Sequence, residues 1–85
     1  MKKVAVIGIV LTKNGGDEAR KVQDILSQFA DIIIGRMGIP SKEYGVNIIS
    51  VAVAGENEKI SALSGALGRL EGVAVKSAIT SVEVK

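Results

Sequence analysis

Few residues of this chain have side chains that could do chemistry. Arg36 interrupts the apolar run Ile32–Met37 and is followed by Gly38-Ile39-Pro40. A guanidinium fixed there could clamp a carboxylate, from a ligand or from a second subunit. The same charge on an edge strand discourages sheet-to-sheet aggregation, and that simpler role is the preferred one. Asn14-Gly15-Gly16 lies between an apolar run and an amphipathic segment. Backbone N–H groups at a helix start can hold an anion there. An ordinary turn explains those residues as well and asks for less. Glu56 and Glu58 flank a second helix start, where carboxylates complement the dipole. Ser64 lies in ALSGA, which lacks the first glycine of a nucleophile elbow.

The missing residue types exclude more. The 85 residues include no Cys and no His. Soft-metal sites and Ser/His/Asp or Cys/His nucleophilic systems have no parts to be built from. No catalytic residue, metal or cofactor is expected, and the chain is not read as an enzyme. The lack of cysteine fits a reducing compartment, so a cytoplasmic location is expected. Eleven Lys+Arg against nine Asp+Glu give a net +2 spread along the chain. That is not the footprint of a protein that binds nucleic acid directly. The longest apolar run, Val4–Leu11, is far short of the roughly 18 residues that span a bilayer. Lys2-Lys3 before it imitates a signal peptide, but no small-residue cleavage site follows. No membrane partner is expected.

The periodicities define the elements that must position these residues. Val4–Leu11 reads as a strand buried on both faces. Asp17 is placed to cap a helix in which Val22, Ile25, Leu26 and Phe29 make one apolar stripe. Asp31–Met37 reads as a second strand, Gly38–Gly45 as a loop stiffened by Pro40, and Val46–Ala54 as a third strand. Asn57 is placed to cap a helix carrying Ile60, Leu63, Leu67 and Leu70 on its buried side. Gly72 sits where a left-handed residue ends a helix. Val73–Thr80 reads as a fourth strand, followed by a short polar tail.

The order is βαβ twice over, within one domain of 1–85. Two right-handed βαβ units joined by a hairpin give an α+β, ferredoxin-like βαββαβ sandwich. It has a four-stranded antiparallel sheet with two helices on one face. Strands one and three are expected at the centre. Splitting the strands by parity gives Ala5, Ile7, Ile9, Leu11, Ile49, Val51, Val53, Val73, Val75 and Ile79 as the helix-facing set. The other set includes Val4, Val6, Gly8, Val10, Val46, Ile48, Ser50, Ala52, Ala74 and Ala78, with Lys76 as its one charge. An uncovered face that apolar is rare on a soluble monomer, so a homo-oligomer is expected, a dimer or a tetramer. Ser61, Ser64, Gly65 and Gly68 share a sector of the second helix; a close neighbour and a merely weak helix explain them equally.

IIGRMGIP (Ile33–Pro40), GVNIISVAV (Gly45–Val53) and ISALSGALGRLEGVAVKS (Ile60–Ser77) resemble the iron-only hydrogenase system regulators, as does VAVIGIVL. The similarity runs over nearly the whole chain. It implies an ACT-like domain, related in shape to the C-terminal domain of nickel-responsive repressors. ACT domains often bind amino acids at subunit interfaces through a glycine-containing loop after the first strand. Asn14, Gly15 and Gly16 occupy that place, and Arg36 joins them as the fourth candidate for a small anionic or amino-acid ligand. The nickel-responsive relatives hold metal with His and Cys, so no such nickel site is expected. They also carry a DNA-binding segment ahead of this domain, and none is expected where the first strand begins at Lys3. The resemblance implies a regulator that acts on a protein partner; the rival reading is a non-sensing module that scaffolds maturation proteins.

Overall fold

The computed structural model describes residues 1–12 and 16–85. Its elements are β1 (Lys2–Leu11), α1 (Gly16–Gln28), a 3-10 turn (Ala30–Ile32), β2 (Ile33–Ser41), β3 (Val46–Gly55), α2 (Asn57–Gly68) and β4 (Val73–Val84). The four strands form one antiparallel sheet in the order β2-β3-β1-β4. The two most apolar strands are therefore central, as the pattern requires. Alternation along them sorts the side chains between two faces. Ala5, Ile7, Ile9 and Leu11 of β1 and Val51 and Val53 of β3 are fully buried. Val22 and Leu26 of α1 and Ile60, Leu63 and Leu67 of α2 close over them. These helix residues recur at three and four, so both helices lay their apolar stripes on the same side of the sheet.

The boundaries differ from the sequence reading in several places: β1 begins at Lys2, β3 ends at Gly55, Asp17 lies inside α1 and so does not cap it, and Leu70 lies beyond the end of α2. β2 begins at Ile33, not Asp31, because a 3-10 turn takes up Ala30–Ile32; the Ile32 N–H bonds the Phe29 carbonyl at 3.0 Å. That turn drives Ile32 into the core beside Gly55, where an added Cβ would lie 2.9 Å from its Cγ2. β2 then continues through Gly38-Ile39-Pro40 to Ser41, so the expected loop shrinks to Lys42–Gly45. Glycine and proline usually punctuate strands, but an edge strand tolerates a missing N–H. Gly45 has φ 66° and closes the hairpin.

The residues expected as a tail extend β4 to Val84. The Thr80 hydroxyl donates to the Val4 carbonyl at 2.6 Å and accepts the Val82 N–H at 3.2 Å. The β1–β4 register shifts between Lys3 and Ala5, and beyond that shift Lys3 pairs with Glu83 at 3.3 Å. Finally, Asn57 lies inside α2, and the residue at its N-cap is Glu56, whose side chain makes no capping bond. Gly72 does adopt the left-handed conformation, with φ 78°. Ile79 belongs by parity to the helix side, yet is 45% exposed, because the neighbouring α2 residues Ser61, Ser64 and Gly65 are too small to cover it.

The opposite side of the sheet carries no helix. Across it the register aligns Ala74, Val10, Ile48 and Ile39; then Lys76, Gly8, Ser50 and Met37; then Ala78, Val6, Ala52 and Gly35. Val6 is 47% exposed and Met37 58%.

Candidate functional site

Arg36 owes its position to one extra residue. Ile33 pairs with Val53, but Gly35 pairs with Ala52 and Arg36 with Val51. Unbroken antiparallel register would set Ile34 against Ala52 and Arg36 against Ser50, on the open side of the sheet. The bulge at Ile34 leaves that residue without a partner and turns Arg36 to the side of the helices; re-aiming a side chain is a common use of bulges. The same shift sends Met37 and Ile39 to the open side.

On the helix side Arg36 meets α1. Its Nη2 donates to Oε1 of Gln23 at 2.5 Å. No carboxylate among the described residues pairs with it. The guanidinium stands at the mouth of a depression of about 340 Å³, lined also by Leu26, Ser27, Ala30 and Ile33. Gln23 borders a second depression too, formed with Leu11, Ala19, Gly38, Pro40 and Asn47. The two hollows flank the seam between α1 and the β2 edge. The seam has an apolar floor and one fixed cation able to bind a carboxylate through two parallel N–H bonds.

The other candidates are not brought to this place. Asn14 and Gly15 lie outside the described residues. Gly16 is the first residue of α1, and Asp17 and Glu18 follow it in the first turn. Those carboxylates already complement the helix dipole and would repel an anion there. Gln23 is two turns further on, about 10 Å along the axis at 1.5 Å per residue. Along α1, then, the seam and the helix start are separate positions. Gln23 escaped the sequence reading because a polar residue on the outer side of an amphipathic helix has no distinctive signal.

Elsewhere the polar chemistry is structural. Ser64 Oγ and Ser77 Oγ lie 2.7 Å apart, joining α2 to β4. Lys59 Nζ donates to Asp31 Oδ2 at 2.5 Å, tying α2 to the turn before β2. That hydrogen bond holds the Asp31 carboxyl below its ordinary range; desolvation opposes it, and the charge of Lys59 adds a smaller effect in the same direction as the bond. Among the described residues no helix is long and apolar enough to cross a membrane.

A βαββαβ sandwich with strand order β2-β3-β1-β4 and one sheet face without a helix is the architecture of an ACT-like domain. The solved structures agree. The ACT domain of GTP pyrophosphokinase from Chlorobium tepidum is 21% identical over 92% of this chain and 100% of its own, with TM-score 0.76. The regulatory subunit of aspartate kinase from Thermus flavus is 16% identical over 91% of this chain and 56% of its own, with TM-score 0.56. At that identity both show the fold alone. The chain belongs to the TM1266-like family, described as "Iron-only hydrogenase system regulator, putative", whose model matches residues 3–77. The uncharacterized protein TM1266 from Thermotoga maritima is 33% identical over 93% of this chain and 98% of its own, with TM-score 0.88. No curated protein matches the chain in sequence.

Proposed function

We propose that this chain is a non-catalytic, cytoplasmic regulatory module of the iron-only hydrogenase system that self-associates and senses a small carboxylate-bearing metabolite. The observation that carries this reading is the bulge-directed Arg36, held by Gln23 beside a hollow that Leu26, Ala30 and Ile33 help to line, with no carboxylate partner among the described residues. An edge charge that served only against aggregation would be as effective pointing to the open side, with no bulge. A ligand with one carboxylate and a short apolar body matches the seam, and an amino acid is such a ligand. The ligand state then alters how the assembly presents itself to a protein partner.

Isothermal titration against a panel of amino acids and other small carboxylates tests the reading. At least one member is expected to give saturable heat, lost or weakened about 10- to 150-fold in Arg36→Ala. That range corresponds to about 1.5–3 kcal/mol for hydrogen bonds to a charged group. A panel that gives no heat at all overturns the sensing role. The exposed apolar sheet face favours a second reading, a module that scaffolds maturation proteins without sensing. A stoichiometric partner retained from native lysate, unaffected by any ligand, would support it.

A further inference from the structure

Gly8 has no reason within its own protomer to be glycine. Its φ lies outside the left-handed region, where only Gly45 and Gly72 are found among the described residues. A Cβ built on it meets nothing nearer than the Lys76 carbonyl oxygen at 3.9 Å, an ordinary contact. Yet Gly8 sits mid-way along a central strand, where glycine forgoes packing and raises the entropy lost on folding. Glycine inside a strand commonly marks close approach by another backbone or a ligand. None of the described residues of this protomer approaches it on the open side.

The surroundings of Gly8 say what could. With Ser50 beside it, Gly8 forms a floor of small residues in the middle of the bare face. Val6, Ile48 and Ile39 stand up around that floor, 47%, 37% and 46% exposed. Large and small residues side by side are what two packed sheets need to interdigitate at about 10 Å separation. The charge pattern points the same way. On this face the charges from β1, β3 and the β4 segment Val73–Thr80 are Lys2, at the end of β1, and Lys76, on an edge strand, and β1 and β3 bring no carboxylate to them. An acidic or basic partner would find little to pair with. The size is sufficient too. Four strands about 4.8 Å apart, each about eight residues long, present roughly 500 Å². Two such faces bury about 1,000 Å², where specific interfaces begin.

We propose that a second copy of this chain packs face to face on this side, its Val6, Ile48 and Ile39 side chains filling the hollow over Gly8 and Ser50. This rests on the self-association in the reading above and specifies its surface. Gly8 is then kept open for the partner rather than for its own fold.

Light scattering and thiol reactivity test it together. At micromolar concentration the full chain is expected to show at least twice the 8.8 kDa of one protomer. Gly8→Ile fills the hollow, and its Cβ meets only an ordinary contact inside the protomer, so it should keep its far-ultraviolet dichroism and lose at least half its mass. Should that variant fail to fold, a second measurement decides. The chain has no cysteine, so Ser50→Cys carries a single thiol at the centre of the face. Its maleimide labelling should accelerate at least tenfold on dilution to the monomer, while Ser77→Cys on the edge strand labels at the same rate throughout. A wild-type chain that is monomeric at every concentration overturns both the self-association reading and this surface. An oligomer in which Ser77→Cys responds to dilution and Ser50→Cys does not overturns only the surface, and assigns association to the β4 edge.

Discussion

The two faces of the sheet are made of neighbouring residues on the same strands, and they are built to different rules. On the helix side Ala5, Ile7, Ile9 and Leu11 are sealed under α1 and α2. On the open side Val4, Val6, Gly8 and Val10 alternate with them, nearly as apolar and much less covered. One face is filled with large aliphatic side chains to the density of a protein interior. The other mixes glycine, alanine and serine with valine and isoleucine, leaving relief rather than a filled layer. Apolarity alone therefore does not locate a core. A face can be apolar because its own chain covers it, or because something else does.

Truncation on the filled side should break this contrast most severely. Ile7→Ala or Leu63→Ala leaves a cavity among fully buried neighbours and is expected to cost about 2–5 kcal/mol. Val6→Ala, one residue from Ile7 but on the other face, should cost under about 1.5 kcal/mol in the protomer, since a half-exposed valine loses only part of its burial. Urea unfolding of both variants at a concentration low enough to keep the chain monomeric measures the difference. Equal losses would mean that the open face is packed within the protomer after all.

Gly55 sharpens the comparison with Gly8. Both are glycines on central strands, but Gly55 is sterically required because Ile32 crosses over it. Gly55→Ala should destabilise by about 1–3 kcal/mol through overpacking. Gly8→Ala should leave the monomer's stability unchanged or raise it slightly, by about 0.5–1 kcal/mol. Thermal melts of the two variants are expected to move in opposite directions or by clearly unequal amounts.

β2 is the strand that crosses between the two rules, and it was also the hardest to read. Parity along β1 and β3 is legible because alternation there is unbroken, so the helix-side set was recoverable from residue types. In β2 the alternation is broken by an extra residue, and nothing in Ile32-Ile33-Ile34-Gly35 says which residue is unpaired. Arg36 was therefore visible as an odd charge, but its side of the sheet was not. Gly38 and Pro40 carry loop chemistry and still form strand, because pairing with Ile49 and Asn47 is available and the outer edge needs no N–H. Likewise Thr80–Val84 has the composition of a tail, and only the bonds from Thr80 to Val4 and Val82 reveal it as strand. The seam was illegible for the same reason: Arg36 and Gln23 are joined by register, not by any motif. Deleting Ile34 should remove the bulge and leave Arg36 opposite Val51, still on the side of α1, so ligand heat should survive while far-ultraviolet dichroism stays within a few per cent of wild type. Heat lost in the deletion would show that the ligand needs the bulge itself and not only the side of the sheet on which Arg36 lies.

The smallest expected effect concerns a carboxylate on the helix side whose pKa is lowered. Asp31, in the turn that delivers the chain to β2, accepts from Lys59 of α2, and that bond stabilises its charged form. Because the folded pKa lies below the unfolded value, the contribution is present above the unfolded carboxylate range. It fades as acid takes the pH down through the folded pKa. The group is exposed, so solvent and salt screen the pair and the effect is small. Melting temperatures of wild type and Asp31→Asn should accordingly differ at neutral pH, with the wild type higher, and converge below the folded pKa. A gap that instead widened on acidification would show that the carboxylate is held against its charge, and that the link from α2 to the β2 turn is not the ion pair seen here.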